Sequence, residues 1–282
     1  MMKITESIYA IRHPFRLALS EGLYVDRFVY SYALVGKKIC LIDGGVSATS
    51  GLIEDALKSL GRSMQEVSLV LLTHAHPDHI GGCPAIQSKS GAPFGAHAMD
   101  RGWIEDVERQ YRERPILNFF ELVAGPVAVE KVLKEGDRIE WDPGKHIRVI
   151  ETPGHSLGSL SFFFEEEGVL FSGDAIPAAD ALPIYIDPRA SIESIKKLQK
   201  TPGVRYLFSS WHEPLTGEVI SKVMEEGIEF IQRIDAIVKE LEKAKPSTSL
   251  EELSLLALER LGIKAKKVLP MVQTSFGSHL SK

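Results

Sequence analysis

An α/β fold is predicted for this chain, and three observations predict it. Strand-like and helix-like stretches alternate from the N-terminus to Trp211. Several of the strand-like stretches are short, wholly apolar runs that stop abruptly in polar loops. The chain has 282 residues, 44% apolar and 25% charged, which is ordinary globular composition and room for one large α/β domain plus a small addition.

The first ~45 residues read as strands. VYSYALVGKKICLID is a β-rich run, a Gly36-Lys37-Lys38 turn, and a buried strand ending at Asp43-Gly44-Gly45. Residues from about Thr49 to Leu60 form a helix with Leu52, Ile53, Ala56, Leu57 and Leu60 on one face and Gly61 at its end. VSLVLLTHAH is a buried strand that runs into a His-rich loop. Ala85 to Lys89 is helical, and PFGAH, DRIEW, HIRVIETP, SLSFFF and GVLFSG are further strands, the last two joined by Glu165-Glu166-Glu167-Gly168. Ile192 to Gln199 is helical, and VRYLFSS is one more buried strand.

Two regions break the rhythm. Residues ~99–133 carry a charged helical stretch, Pro115 and the apolar ILNFFELVAGPVAV, too long for a connection and read as a helical insertion. From Glu218 the pattern is all helical. Apolar positions at helical spacing run to about Lys245, Ser249 with Glu252 makes a capping box for a second helix ending near Gly262, and Pro270 opens a third. The expected division is therefore an α/β domain of residues 1–218 and a helical extension of residues 219–282.

Composition excludes some roles. The net charge of −5 offers no bulk attraction to nucleic acid or to a membrane surface. Cys40 and Cys83 are the only cysteines and are expected as two buried thiols rather than a disulfide. The N-terminal stretch has no apolar run fit for export and no segment elsewhere could span a bilayer, so a cytoplasmic location is expected.

The chemistry concentrates in Thr73-His74-Ala75-His76-Pro77-Asp78-His79-Ile80-Gly81-Gly82. Histidine fills 9 of 282 positions, yet three imidazoles and a carboxylate fall within six residues directly after a buried strand. His74 and His76, two apart in an extended loop, can aim at one ion, with Asp78 and His79 turned to a neighbouring position. Imidazole with carboxylate suits zinc or another borderline first-row metal. His155, Asp174 and His212 each stand just past the end of a later apolar strand. Of the other histidines, His97 and His146 are read as structural or surface residues. His279 is placed in the terminal helix, and His13 in a loop from which it could touch a substrate.

His-x-His-x-Asp-His, then His, then Gly-Asp, then a last His resembles the metallo-β-lactamase superfamily over residues ~1–215. The resemblance implies a four-layer αββα sandwich with a helical insertion and a C-terminal helical extension. It implies two divalent metal ions, zinc first with iron or manganese as alternatives. His74, His76 and His155 resemble the ligands of the first metal, and Asp78, His79 and His212 those of the second. Asp174 would bridge the two, and Asp43 would support the ligand loop. The activity implied is metal-dependent hydrolysis of a small acyl substrate (thioester, lactone or related ester) by a metal-bound hydroxide, with Asp78 also taking up a proton. Asp174 stands where many secreted lactamases carry Cys, which disfavours antibiotic hydrolysis. Tyr185, His13, Phe119 and Phe120 are the candidate substrate contacts. Two other readings stay open: an effector that senses an acyl ligand at the metal centre, and a single-iron persulfide-dioxygenase-like enzyme. The helical tail leaves a homodimer open.

Overall fold

A computed structural model describes residues 1–179, 181–265 and 267–280. Two sheets carry the fold. The first has seven strands in sequence order: β1 (Met2–Lys3), β2 (Ile8–Ser20), β3 (Leu23–Val35), β4 (Ile39–Ile42), β5 (Val67–Leu71), β6 (Phe94–His97) and β7 (Lys131–Leu133). The second has six: β8 (Arg138–Asp142), β9 (Lys145–Glu151), β10 (Leu160–Phe164), β11 (Val169–Gly173), β12 (Tyr206–Ser209) and β13 (Leu215–Thr216), also in order across the sheet.

Period-two alternation explains why the sheets stack. Along β4, Cys40 and Ile42 face the second sheet while Leu41 faces the outer helices. Along β10, Phe162 and Phe164 face the first sheet while Phe163 points outward. Strands apolar on both faces must be covered on both sides, so each sheet takes a helical layer. On the first sheet these are α1 (Gly51–Ser59), the single turn α2 (Pro77–Ile80), α3 (Cys83–Ser90), α4 (Ala98–Glu105), α5 (Val107–Glu113) and α6 (Phe119–Leu122). On the second they are α7 (Pro188–Gln199), α8 (Glu218–Ala244), α9 (Leu250–Arg260) and α10 (Pro270–Gly277). The result is a four-layer αββα sandwich, and the C-terminal helices are part of its outer layer. Among the described residues no helix is long and apolar enough to cross a membrane.

The structure corrects several local readings. Leu52 is exposed, because α1 starts only at Gly51 after a 3₁₀ turn at Ser47–Thr49 and turns Ile53, Ala56 and Leu57 inward instead. His13 lies inside β2, paired with Val29 of β3 in a hairpin of two 13-residue strands. Helix in the insertion ends at Leu122, and residues 131–133 join the first sheet as its outer strand. His279 sits just beyond α10. Ser249 caps α9 as expected, its side chain accepting from the Glu252 N–H.

Strand direction positions the site. β9 and β11 are both antiparallel to β10, so they run together, and β12 is parallel to β11. In the first sheet β4 and β5 are parallel. Asp43, the loop from His74, His155, Asp174 and His212 therefore all follow the C-terminal ends of co-directed strands.

Candidate metal centre

The loop after β5 is extended only as far as His76. Pro77 then opens the single turn α2, whose fixed φ and missing N–H suit the first helical position. His74 and His76 project from extended backbone, Asp78 and His79 from a helical turn. That change of backbone spreads the side chains and leaves the His74 ring between those of His76 and His79, at centroid distances of 4.5 and 4.0 Å.

One ligand atom from each of His74, His76 and His155 lies within 4.8 Å of the other two, and the same holds for His74, His79 and Asp174. Hydrogen bonding sets which nitrogen each ring offers. The Thr73 hydroxyl donates to Asp43 Oδ2 at 2.8 Å, so it accepts from His74 Nδ1–H at 3.0 Å. Asp43 Oδ2 also accepts from His79 Nδ1–H at 2.8 Å. The Ile184 carbonyl accepts from His155 Nδ1–H at 2.6 Å. In all three rings the lone pair is left on Nε2. His74 Nε2 and His79 Nε2 are buried with no hydrogen-bond partner among the described residues, as is Asp174 Oδ1. His155 Nε2 meets His76 Nδ1 at 2.8 Å, a distance two lone pairs tolerate only with a cation or proton between them. Buried polar atoms are normally satisfied, and this convergence of unsatisfied donor atoms fits a divalent ion with imidazole and carboxylate ligands.

Asp174 lies between the two groups. Its Oδ2 is 3.4 Å from His155 Nε2 and 3.8 Å from His74 Nε2, whereas its Oδ1 is 3.5 Å from His79 Nε2. Gly173 makes this placement available: its φ is +51° and a Cβ there would sit 2.8 Å from that of Thr73. Asp78 Oδ2 stands 3.9 Å from His79 Nε2. His212 is in the loop after β12, its N–H held by Ser209 Oγ, and neither triad includes it.

Electrostatics favour the ligand-competent form at His74, His76, His155 and Asp174. Burial pushes His74 and His76 well below the ordinary imidazole range and His155 down to about 4, so these rings are neutral. Burial acts on His79 in the same sense, but Asp174, Asp43 and Asp78 outweigh it and raise its pKa. Burial alone would raise Asp174, yet His79 and His155 carry it well below the usual carboxylate range. Asp78 goes the other way, raised by burial and by Asp174 against the pull of His79.

Three supporting residues escaped the sequence reading. Asp100 of α4 accepts from Ala75 N–H at 2.8 Å, Ser156 Oγ at 3.0 Å and Gly158 N–H at 2.9 Å, tying the His74 loop to the His155 loop. Gln110 of α5 donates to the Ala75 carbonyl. Arg114, the residue that caps the C-terminus of α5, is half-buried beside the centre, its charge acting on Asp78 and Asp174. Its guanidinium meets Met271 Sδ at 3.7 Å, and no carboxylate among the described residues pairs with it. Burial lowers its pKa to about 10, which still leaves it charged at neutral pH. The only signal for these residues was polar character within an insertion read as a cap.

The candidate substrate contacts fare differently. Both ring nitrogens of buried His13 are held, by Thr49 Oγ1 at 2.8 Å and Ser31 Oγ at 2.7 Å. The Tyr185 hydroxyl is also buried and bonds His279 at 2.8 Å, turned to the C-terminal helices rather than to an oxyanion. Phe119 is buried in the core beneath the insertion, while Phe120 and Leu117 are exposed.

The profile of the metallo-beta-lactamase superfamily matches residues 24–210. A hydroxyacylglutathione hydrolase of Chelativorans sp. (strain BNC1) is 26% identical over 70% of this chain and 71% of its own. A beta-lactamase-like protein 2 homolog of Caenorhabditis elegans is 28% identical over 83% and 72%. Among solved structures, a metallo-beta-lactamase family protein of Thermus thermophilus superposes with a TM-score of 0.76 at 24% identity, covering 98% of this chain and 92% of that one.

Proposed function

The chain belongs to the metallo-beta-lactamase superfamily, and from that premise we propose that it is a binuclear metal-dependent hydrolase of anionic acyl compounds, thioesters first among them. The observation that carries this reading is the pair of triads sharing His74 with Asp174 between them, one carboxylate oxygen turned to each side. That is the disposition of a bridging ligand. Divalent ions held by His74, His76, His155, Asp174, Asp78, His79 and His212, zinc or else iron or manganese, would polarise a carbonyl and acidify water toward neutrality.

The chain's own groups have separable tasks. Asp174 and Asp78 are two neighbouring carboxylates whose surroundings push their pKa values apart. Asp174 stays ionised and would serve as an anionic ligand between the imidazoles. Asp78, the stronger base, accepts the proton of the attacking water. Arg114, half-buried beside the centre and with no carboxylate partner among the described residues, would pair with a carboxylate or similar anion on the substrate. Exposed Phe120 packs on Tyr111 with ring centroids 5.0 Å apart and would offer apolar surface to an acyl chain. Two features support the thioester class: the hydroxyacylglutathione hydrolases among the relatives, and Asp rather than Cys at position 174.

The test is metal content of the purified protein together with hydrolysis of thioesters, lactones, phosphodiesters and a β-lactam. About two ions per chain with chelator-sensitive cleavage of an anionic thioester is expected. One iron with oxygen uptake, or two ions with no turnover on any acyl substrate, would overturn the reading.

A further inference from the structure

The segment between Asp174 and α7 holds a metal-ligand histidine from behind, and the C-terminal helices hold that segment. His155 donates to the Ile184 carbonyl at 2.6 Å, and the next residue is gripped three times over. The Tyr185 N–H donates to Ser275 Oγ of α10 at 2.9 Å, and Ser275 Oγ donates back to the Tyr185 carbonyl at 2.8 Å. The Tyr185 hydroxyl meets His279 Nε2 at 2.8 Å, and His279 Nδ1 meets Asp235 Oδ1 of α8 at 3.2 Å. A carboxylate only accepts, so His279 carries its proton on Nδ1 and its Nε2 accepts from the tyrosine. Ser275 is fully buried, and Tyr185 and His279 nearly so, which makes these bonds costly to leave unmade. On its other side the segment is tied to the residue before His155, with Ile186 N–H donating to the Gly154 carbonyl at 2.8 Å.

We propose that Ser275, with Tyr185 and His279, forms a positioning device for the metal centre: the C-terminal helices fix the Ile184 carbonyl and thereby the tautomer and tilt of His155. The proposal rests on the metal-centre reading above and adds a role for Tyr185 and for Ser275 and His279, which lie 90 and 94 positions beyond it. None of the three touches a reacting atom. They act through one backbone carbonyl, which leaves His155 Nε2 free and aimed at His76 and Asp174. Groups that orient a ligating histidine in this way typically contribute 10–100-fold to metal affinity. On this account Tyr185 matters to the centre without contacting substrate.

Ser275→Ala is the direct test, since it removes both bonds to the Tyr185 backbone, along with one to the Met271 carbonyl, and little volume. The readouts are stepwise metal affinity by chelator competition and the visible spectrum of the cobalt(II)-substituted protein. One of two ions should bind about tenfold more weakly, with a changed cobalt band, while the other is held as in wild type. Ser275→Thr, which keeps the hydroxyl, should restore both readouts. Tyr185→Phe, which keeps the ring in its core position, should weaken the same ion in the same direction and carries the test if Ser275→Ala does not fold. Wild-type affinities and an unchanged cobalt spectrum in the folded variant would overturn the positioning role alone. A wild-type protein that retains no metal would overturn the centre itself.

Discussion

Asp43 is the residue whose replacement should say most about how the centre is built. It is nearly fully buried, and its carboxylate accepts three bonds at 2.8 Å, from Thr73 N–H, Thr73 Oγ1 and His79 Nδ1. It also holds φ at +61°, a conformation that non-glycine residues adopt at some cost. Asp43→Ala strands three buried donors. At about 1 kcal/mol each, the metal-free protein should lose about 3 kcal/mol of stability. Asp43→Asn is the sharper change, because an amide offers one accepting atom and one donating atom. With its oxygen facing Thr73 N–H, its NH₂ faces His79 Nδ1. The ring then moves its proton to Nε2, the atom aimed at Asp174. With the amide turned over, NH₂ meets the Thr73 N–H instead, donor against donor. The first orientation mis-sets the His79 tautomer and the second breaks the bond to Thr73, so metal affinity at the His79 position should fall 10–100-fold, about 1.4–2.8 kcal/mol. Chelator-competition titration reads the affinity, and urea denaturation of the metal-free protein reads the stability. Two ions held at wild-type affinity in Asp43→Asn would refute the tautomer argument.

Buried His13 has its pKa lowered from the ordinary 6.5 to about 4 by burial. The unfolded ring takes a proton below about 6.5 and the folded ring resists until about 4. Its contribution is therefore complete above 6.5 and lost as pH falls through that window, to the extent of about 3 kcal/mol. His13→Gln should flatten this part of the stability profile, and parallel profiles for the two proteins would rule the account out. Asp78→Ala should slow acyl hydrolysis by about 10²–10⁴ while the His74–His76–His155 position keeps its metal, and a near-normal rate in that variant would remove Asp78 from the mechanism. Arg114→Met should lower kcat/KM about 10–100-fold for an acyl substrate bearing a carboxylate, as for loss of one charge-assisted bond. It should cost a neutral ester far less, and an equal loss on both would mean that Arg114 serves structure rather than recognition.

Much of this protein is written locally. The α/β class follows from apolar runs such as KKICLID and SLSFFF set among helical stretches, because alternation and burial on both faces are properties of neighbouring residues. The sites of chemistry follow in the same way: the 74–79 cluster, His155 and Asp174 are polar residues placed just past apolar strands, which any folding of those strands brings to a sheet edge. Contact between residues far apart in sequence is not written locally, and there only the tertiary structure decided. It buried His13 in a hairpin and turned Tyr185 away from the centre toward His279. It carried Asp100, Gln110 and Arg114 from an apparent cap to the metal loop, and it joined the last helix to His155 through one carbonyl. Each of these depends on a partner at least 18 residues distant. A hydrogen bond also sets the tautomer of each ligating ring, and no spacing rule encodes which distant acceptor a ring nitrogen will meet.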